Sequence, residues 1–267
     1  MIREPAVAGQ FYSGDRATLL QDVRSLIQTR DNPLEAKAVV VPHAGYIYSG
    51  AVAGLVYGSI RLSKRFIFLG PNHTGMGLPF SIYPAGQWRT PLGLATIDVD
   101  LNDRLLRDSP LLREDRLAHM REHCLEVQIP FLQTLVPDFK FAAICVGSGD
   151  RYLLQELGHA VARVQKEIED SVLLVASSDM NHFESAEVSE VKDRVAIERM
   201  IDVDPEGLFR VVEEKHISMC GFAPAVATLV ASRDLGCTRG HLIRYTNSGE
   251  VSGDYKRVVG YAGMAIT

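Results

Sequence analysis

The sequence predicts an α/β fold in which helices flank a mainly parallel central sheet, and three observations carry that expectation. Short β-branched runs alternate with segments whose apolar residues fall at helical spacing; three of the runs break directly into loops carrying polar, histidine-bearing motifs; and the stretches between them are long enough to cross from one parallel strand to the next. Parallel strands cannot be joined by a tight turn and need a crossover, which a helix supplies. With 46% hydrophobic residues, the 267-residue chain has material for a core on both sheet faces. It is expected to form a single domain over residues 1–267.

Taken in order, Ser13 or Asp15 is placed to cap a first helix carrying Leu19, Leu20, Val23, Leu26 and Ile27, which should end before Asn32-Pro33. Lys37–Pro42 reads as a strand, HAGYIYSG as the loop after it, and Gly50–Ile60 as a helix of small residues. Arg65–Gly70 is a second strand, followed by the turn-forming PNHTGMG. Residues 80–100, with a Pro91-Leu-Gly turn, suggest an antiparallel excursion. A helix over Glu122–Leu135, interrupted by Pro130, should lead into a strand over Phe139–Val146 and a helix over Arg151–Ile168. Ser171–Ser178 is the clearest strand and delivers the chain into Asp179-Met-Asn-His182. Two helices over 186–214, another after Cys220, and strands over 241–246 and 256–266 complete the series.

Charge and cysteine usage exclude several functions. The 28 basic and 33 acidic residues give a net charge of −5, and the basic ones are scattered, so there is no footprint for nucleic acid. Cys124, Cys145, Cys220 and Cys237 form no CxxC pair and point to free thiols in a reducing compartment. No basic start with an apolar core opens the chain, and no apolar run approaches the roughly 18 residues of a membrane span. The expectation is a cytoplasmic protein without membrane contact.

In parallel sheets, ligands sit beyond the carboxyl ends of the strands. His43, His73, Asp179 and His182 all follow strand ends, so separate loops aim polar groups at one edge. Histidines with a carboxylate and a thiol are the donors that zinc, iron or copper sites require. Cys220 precedes a helix start, where the dipole favours thiolate, whereas Cys145 in an apolar strand and Cys237 are expected as small buried hydrophobes. Glu122 and Glu126 fall one turn apart on the expected helix, placing Glu122 and His123 as cleft lining that touches a substrate. His119 and His123 share i, i+4 spacing without the HExxH pattern, and His119 is expected at the surface. GxGxxG, GxxxxGK[ST] and GxSxG are all missing, which removes dinucleotide, nucleotide and α/β-hydrolase readings. Nothing marks Ser177 or Ser178 as an activated nucleophile.

PHAGYIYSG, GPNHTG, REHCLEVQIPFLQ, SSDMNH and MCGFAP occur in that order across nearly the whole chain. Together they resemble the Memo family, whose prokaryotic members are also called AmmeMemoRadiSam system protein B. That family's fold is similar to class III extradiol ring-cleaving dioxygenases, which use non-haem Fe(II) on two histidines and a carboxylate. The resemblance implies His43 and His73 as the histidine ligands, His182 as the acid or base, and Cys220 in the place of the carboxylate. Cys124 stands where the family pattern usually has serine. The resemblance also implies a small-molecule or peptide ligand and a radical SAM protein as a partner.

The resulting expectation is a metal-dependent oxidoreductase or dioxygenase-like enzyme of unknown substrate. Its metal would lie on His43, His73 and Cys220, with Asp179 and His182 handling protons and Fe(II) favoured over copper or zinc. The alternative is a non-catalytic module that binds a peptide or handles iron or copper in the same cleft.

Overall fold

The alternating pattern forms the architecture it predicts, here described from a computed structural model over residues 1–168 and 171–267. In chain order the elements are β1 (Ile2–Arg3), α1 (Arg16–Leu26), β2 (Ala38–Val41), α2 (Tyr46–Gly58), β3 (Arg65–Pro71), β4 (Phe80–Ile82), β5 (Gln87–Thr90), β6 (Gly93–Ile97), α3 (Val99–Asp108) and β7 (Arg113–Glu114). They continue as α4 (Ile129–Leu135), β8 (Lys140–Val146), α5 (Arg151–Lys166), β9 (Val172–Ser177), β10 (His182–Glu184), α6 (Ala186–Ile201), α7 (Pro205–Glu214), α8 (Phe222–Asp234), β11 (Gly240–Asn247), α9 (Gly249–Ser252) and β12 (Val258–Ile266).

A 12-stranded sheet runs in the order β1-β5-β6-β8-β3-β9-β2-β12-β10, with β11 on β12 and β4 on β8. Its centre, β6-β8-β3-β9-β2, is parallel, and antiparallel pairs lie towards the edges, including the β5–β6 hairpin expected within residues 80–100. Alternate residues of each central strand serve opposite cores. Ile67, Leu69, Leu174 and Ile144 pack under α3, α5 and α8, whereas Phe66, Phe68, Val175 and Phe141 pack under α1, α2 and α4. Strands buried on both faces read as unbroken apolar runs, which is why the sequence shows them so clearly. No described helix is long and apolar enough to cross a membrane.

Two segments depart from expectation. α2 starts at Tyr46 rather than Gly50, because Tyr46 N–H finds the Phe11 carbonyl at 2.8 Å and Gly45 serves as cap. Between Leu117 and Gln128 the chain makes two short 3-10 turns (Leu117–His119 and Glu126–Gln128), and Pro130 sits in the first turn of α4, where its missing N–H costs nothing. Glu122 and Glu126 therefore do not share a helix face. Glu126 turns to the amino-terminal segment, where it accepts from Ala6 N–H (2.7 Å), Val7 N–H (3.1 Å) and Tyr12 OH (2.7 Å) and pairs with Arg3 (2.7 Å). Arg3, wholly buried over the Trp88 ring, also donates to the carbonyls of His119 (2.8 Å) and Glu122 (2.6 Å). His119, expected at the surface, is buried among Tyr83, Trp88 and Cys145.

Candidate metal centre

The carboxyl ends of β2, β3 and β9 deliver His43, the His73 loop and Ser177 to one edge, and the irregular 121–125 loop brings His123 against them. Gly70 makes that approach possible: a methyl there would meet Cys124 Sγ at 2.5 Å and Leu125 Cδ2 at 2.6 Å. His43, His73 and His123 each offer a ligand atom within 4.8 Å of the others. The His73 and His123 rings stack at 4.7 Å, and His43 stands edge-on to both at 5.1 and 5.4 Å. Phe11 closes the outer face of His123 at 4.8 Å.

Each ring is held from behind. His73 Nδ1 lies 2.9 Å from Glu122 Oε1, and Glu122 also accepts from the backbone N–H groups of His73, His123 and Cys124. His43 Nδ1 faces Ser177 Oγ at 3.0 Å, and its backbone N–H donates to Asp179 Oδ1 at 2.8 Å. On the cleft side, His43 Nε2 lies 3.2 Å from Cys220 Sγ. His182, one residue past Asn181, opens β10; its backbone N–H donates to Ser218 Oγ at 2.8 Å, and its Nδ1 is buried without a partner among the described residues.

Burial and the neighbouring His73 lower the pKa of His43 to about 3, and burial with His43 lowers that of His123 to about 4. Burial raises the Glu122 carboxyl, but the hydrogen bond and charge of His73 and the bond from Cys124 N–H outweigh it and hold it at about 2. Asp179 moves the other way, pushed up by burial. Burial, then the Asp179 charge, also raises the Cys220 thiol, so the expected helix-start thiolate is not what the surroundings favour. Gly221 lies between Cys220 and α8 as its cap, and the other thiols, Cys124, Cys145 and Cys237, are buried.

These donors fit a transition-metal ion. The His43 and His123 imidazoles, which burial keeps neutral, converge with His73 beside the Glu122 carboxylate, and the Sγ–Nε2 separation of 3.2 Å between Cys220 and His43 is near the roughly 3.5 Å set by bonds of about 2.0 and 2.3 Å to one tetrahedral ion. Metal binding would itself displace the thiol proton. Of the residues expected to act together, Cys220 contacts His43 and the His73 ring lies 5.1 Å from that of His43, whereas the residues whose ligand atoms all lie within 4.8 Å of one another are His43, His73 and His123, the last expected only as lining. Glu122, expected to touch a substrate, faces His73 and the loop backbone. Sequence reasoning misses the supporting role of Ser177 behind His43, whose signal is a polar side chain at the end of an otherwise apolar strand.

The fold and site define an α/β protein with a histidine cluster at the carboxyl edge of a parallel sheet. The profile of the Memo-like proteins matches residues 3–265, and the chain belongs to the Memo family. It is 41% identical over 266 residues to a MEMO1 family protein of Aquifex aeolicus, covering 98% of both chains. A MEMO1 family protein of Methanopyrus kandleri is 39% identical over 278 residues, covering 99% of this chain and 98% of the relative. The crystal structure of an uncharacterized protein from Escherichia coli K12 aligns with a TM-score of 0.50 at 14% identity, over 85% of this chain and 99% of the other, a likeness of fold alone.

Proposed function

We propose that the chain is a metal-dependent oxidoreductase of dioxygenase-like type, with Fe(II) held by His43, His73 and Cys220 and with His123 at the same centre. The convergence of three histidine ligand atoms within 4.8 Å, beside the Cys220 thiol, carries the reading. An ion bound there supplies Lewis acidity and redox chemistry. The two carboxyl groups of the cleft are pushed apart and so divide the work. Glu122, held low, stays anionic and fixes His73; Asp179, pushed up by burial, is suited to exchange a proton with a substrate, and His182 on the same loop is its partner.

A second reading is metal handling without turnover: three histidine ligand atoms lie within 4.8 Å of one another, and Cys220, in contact with His43, would as a fourth donor close the coordination sphere of a tetrahedral ion. Anaerobic titration of Fe(II), Cu(I) and Zn(II) into chelated protein tests the metal reading, with His43→Ala and His73→Ala each expected to lose at least tenfold in affinity. Undiminished binding in both would sink it. Oxygen uptake by the iron-loaded protein on catechols separates the two readings, as does binding of azide to the loaded centre, which an open coordination position admits and a closed one does not.

A further inference from the structure

We propose that Tyr57, Gln128 and Ser177 form a buried relay of fixed polarity that keeps the His43 proton on Nδ1 and presents a bare Nε2 to the cleft. Ser177 is thus a positioning residue for the ligand set proposed above. All four side chains are out of solvent, with Gln128 and Ser177 at 0% exposure, so each donor and acceptor has to be matched within the protein.

The polarity is set from the far end. Tyr57 OH donates to Gln128 Oε1 at 2.8 Å. The Gln128 amide cannot be turned over, because its oxygen would then face the Pro42 carbonyl; as placed, Nε2 donates to Pro42 O at 3.0 Å and to Ser177 Oγ at 3.0 Å, using both amide hydrogens. Ser177 spends its only hydrogen on the Cys124 carbonyl at 2.7 Å. The Oγ atom then meets His43 Nδ1, at 3.0 Å, with a lone pair, so Nδ1 has to be the donor. A neutral imidazole protonated at Nδ1 is unprotonated at Nε2, the atom facing Cys220. The opposite tautomer would require Ser177 to donate to His43 and to strip the buried Cys124 carbonyl of this donor.

The same arrangement removes Ser177 as a nucleophile. Its proton points at a carbonyl, and the neighbouring imidazole approaches it as a donor, whereas activation needs an imidazole lone pair. A serine beside a histidine in a cleft here serves metal binding rather than acyl transfer.

The test is long-range 1H–15N NMR of the histidine rings in metal-free protein, with His43 assigned through His43→Gln, together with Zn(II) titration. The natural protein should show His43 as the Nδ1–H tautomer. Ser177→Ala should shift that population towards Nε2–H and weaken Zn(II) ten- to a hundredfold, and Ser177→Thr, which keeps the hydroxyl, should restore both. An Nε2–H tautomer in the natural protein, or a population unmoved by Ser177→Ala whatever the affinity does, would overturn the relay. An unchanged Zn(II) affinity despite a shifted tautomer would overturn its role for the ligand set. If the natural protein binds neither Zn(II) nor Fe(II), the metal reading fails, and the metal-free spectrum still decides the relay on its own.

Discussion

At the scale of single residues, the centre depends on groups that hold the histidines as much as on the histidines. Glu122→Gln replaces the carboxylate behind His73 with a neutral amide, and we expect Zn(II) affinity to fall by about ten- to a hundredfold. Isothermal titration measures it, and an affinity within twofold of the natural protein would remove Glu122 from the site. Acid should act on the same groups. His43 and His123 are held near 3 and 4 against an ordinary 6.5, so the unfolded chain takes up their protons first, and metal-free protein should lose stability as pH falls from about 6.5. Glu122, held near 2 against 4.5, adds a further loss from about 4.5 downwards. Denaturant midpoints measured between pH 8 and 4 should therefore slope down with acid less steeply in His43→Gln and His123→Gln than in the natural protein, the raised Asp179 and Asp193 carboxyls acting in the opposite direction in all three; a slope unchanged by both substitutions would contradict the burial of neutral imidazoles.

At the scale of elements, the junctions between strand ends and the next segment carry the geometry. A methyl at Gly221 would meet the Ser177 carbonyl, and Ser178 Cβ at 2.5 Å, so Gly221→Ala has to displace the segment bearing Cys220. We expect it to weaken metal binding as much as Cys220→Ala does, read by the same titration; normal affinity with a normal melting temperature would refute the tight junction. Asn181 makes the matching link on the other side. It donates to Glu184 (2.6 Å) and Ser189 (3.2 Å) and accepts from Ser218 N–H and Oγ (both 3.0 Å), and so joins the His182 loop to the chain entering Cys220. Strand ends were legible in the sequence because central strands are apolar throughout and stop abruptly at Pro42, Gly70 and Asp179. The 117–128 segment was not, because 3-10 turns have no sustained hydrophobic period, and the periodicity of α4 was extended backwards through Pro130 onto Glu122. His119 was misplaced for the same reason, since its partners come from β4, β5 and β8, far away in sequence. His43 and His73 could be singled out because they follow strands; Ser177 and Gln128 could not be given partners without the fold.

At the scale of the whole molecule, the first dozen residues are part of the support for the cleft. The Arg3–Glu126 pair is entirely out of solvent, and Arg3 also grips the backbone of His119 and Glu122. Arg3→Ala would strand Glu126 as a buried charge, and we expect a loss of about 3–5 kcal/mol in urea unfolding, with weakened metal binding as the 121–125 loop loosens. A loss below about 1 kcal/mol would show that the amino-terminal segment is merely attached. The wide spacing of the donors has one more consequence, which concerns biosynthesis. His43 and Cys220 stand 177 positions apart, so at ~5–20 residues per second a ribosome needs roughly 10–35 s to pass from one to the other. While the chain is being made, the early histidines have neither the thiol nor the strand that orients them, and the complete donor set first exists once Cys220 has left the exit tunnel. Under the metal reading proposed above, acquisition of the ion follows translation of these motifs, and the choice of ion falls to the folded protein and not to the nascent chain.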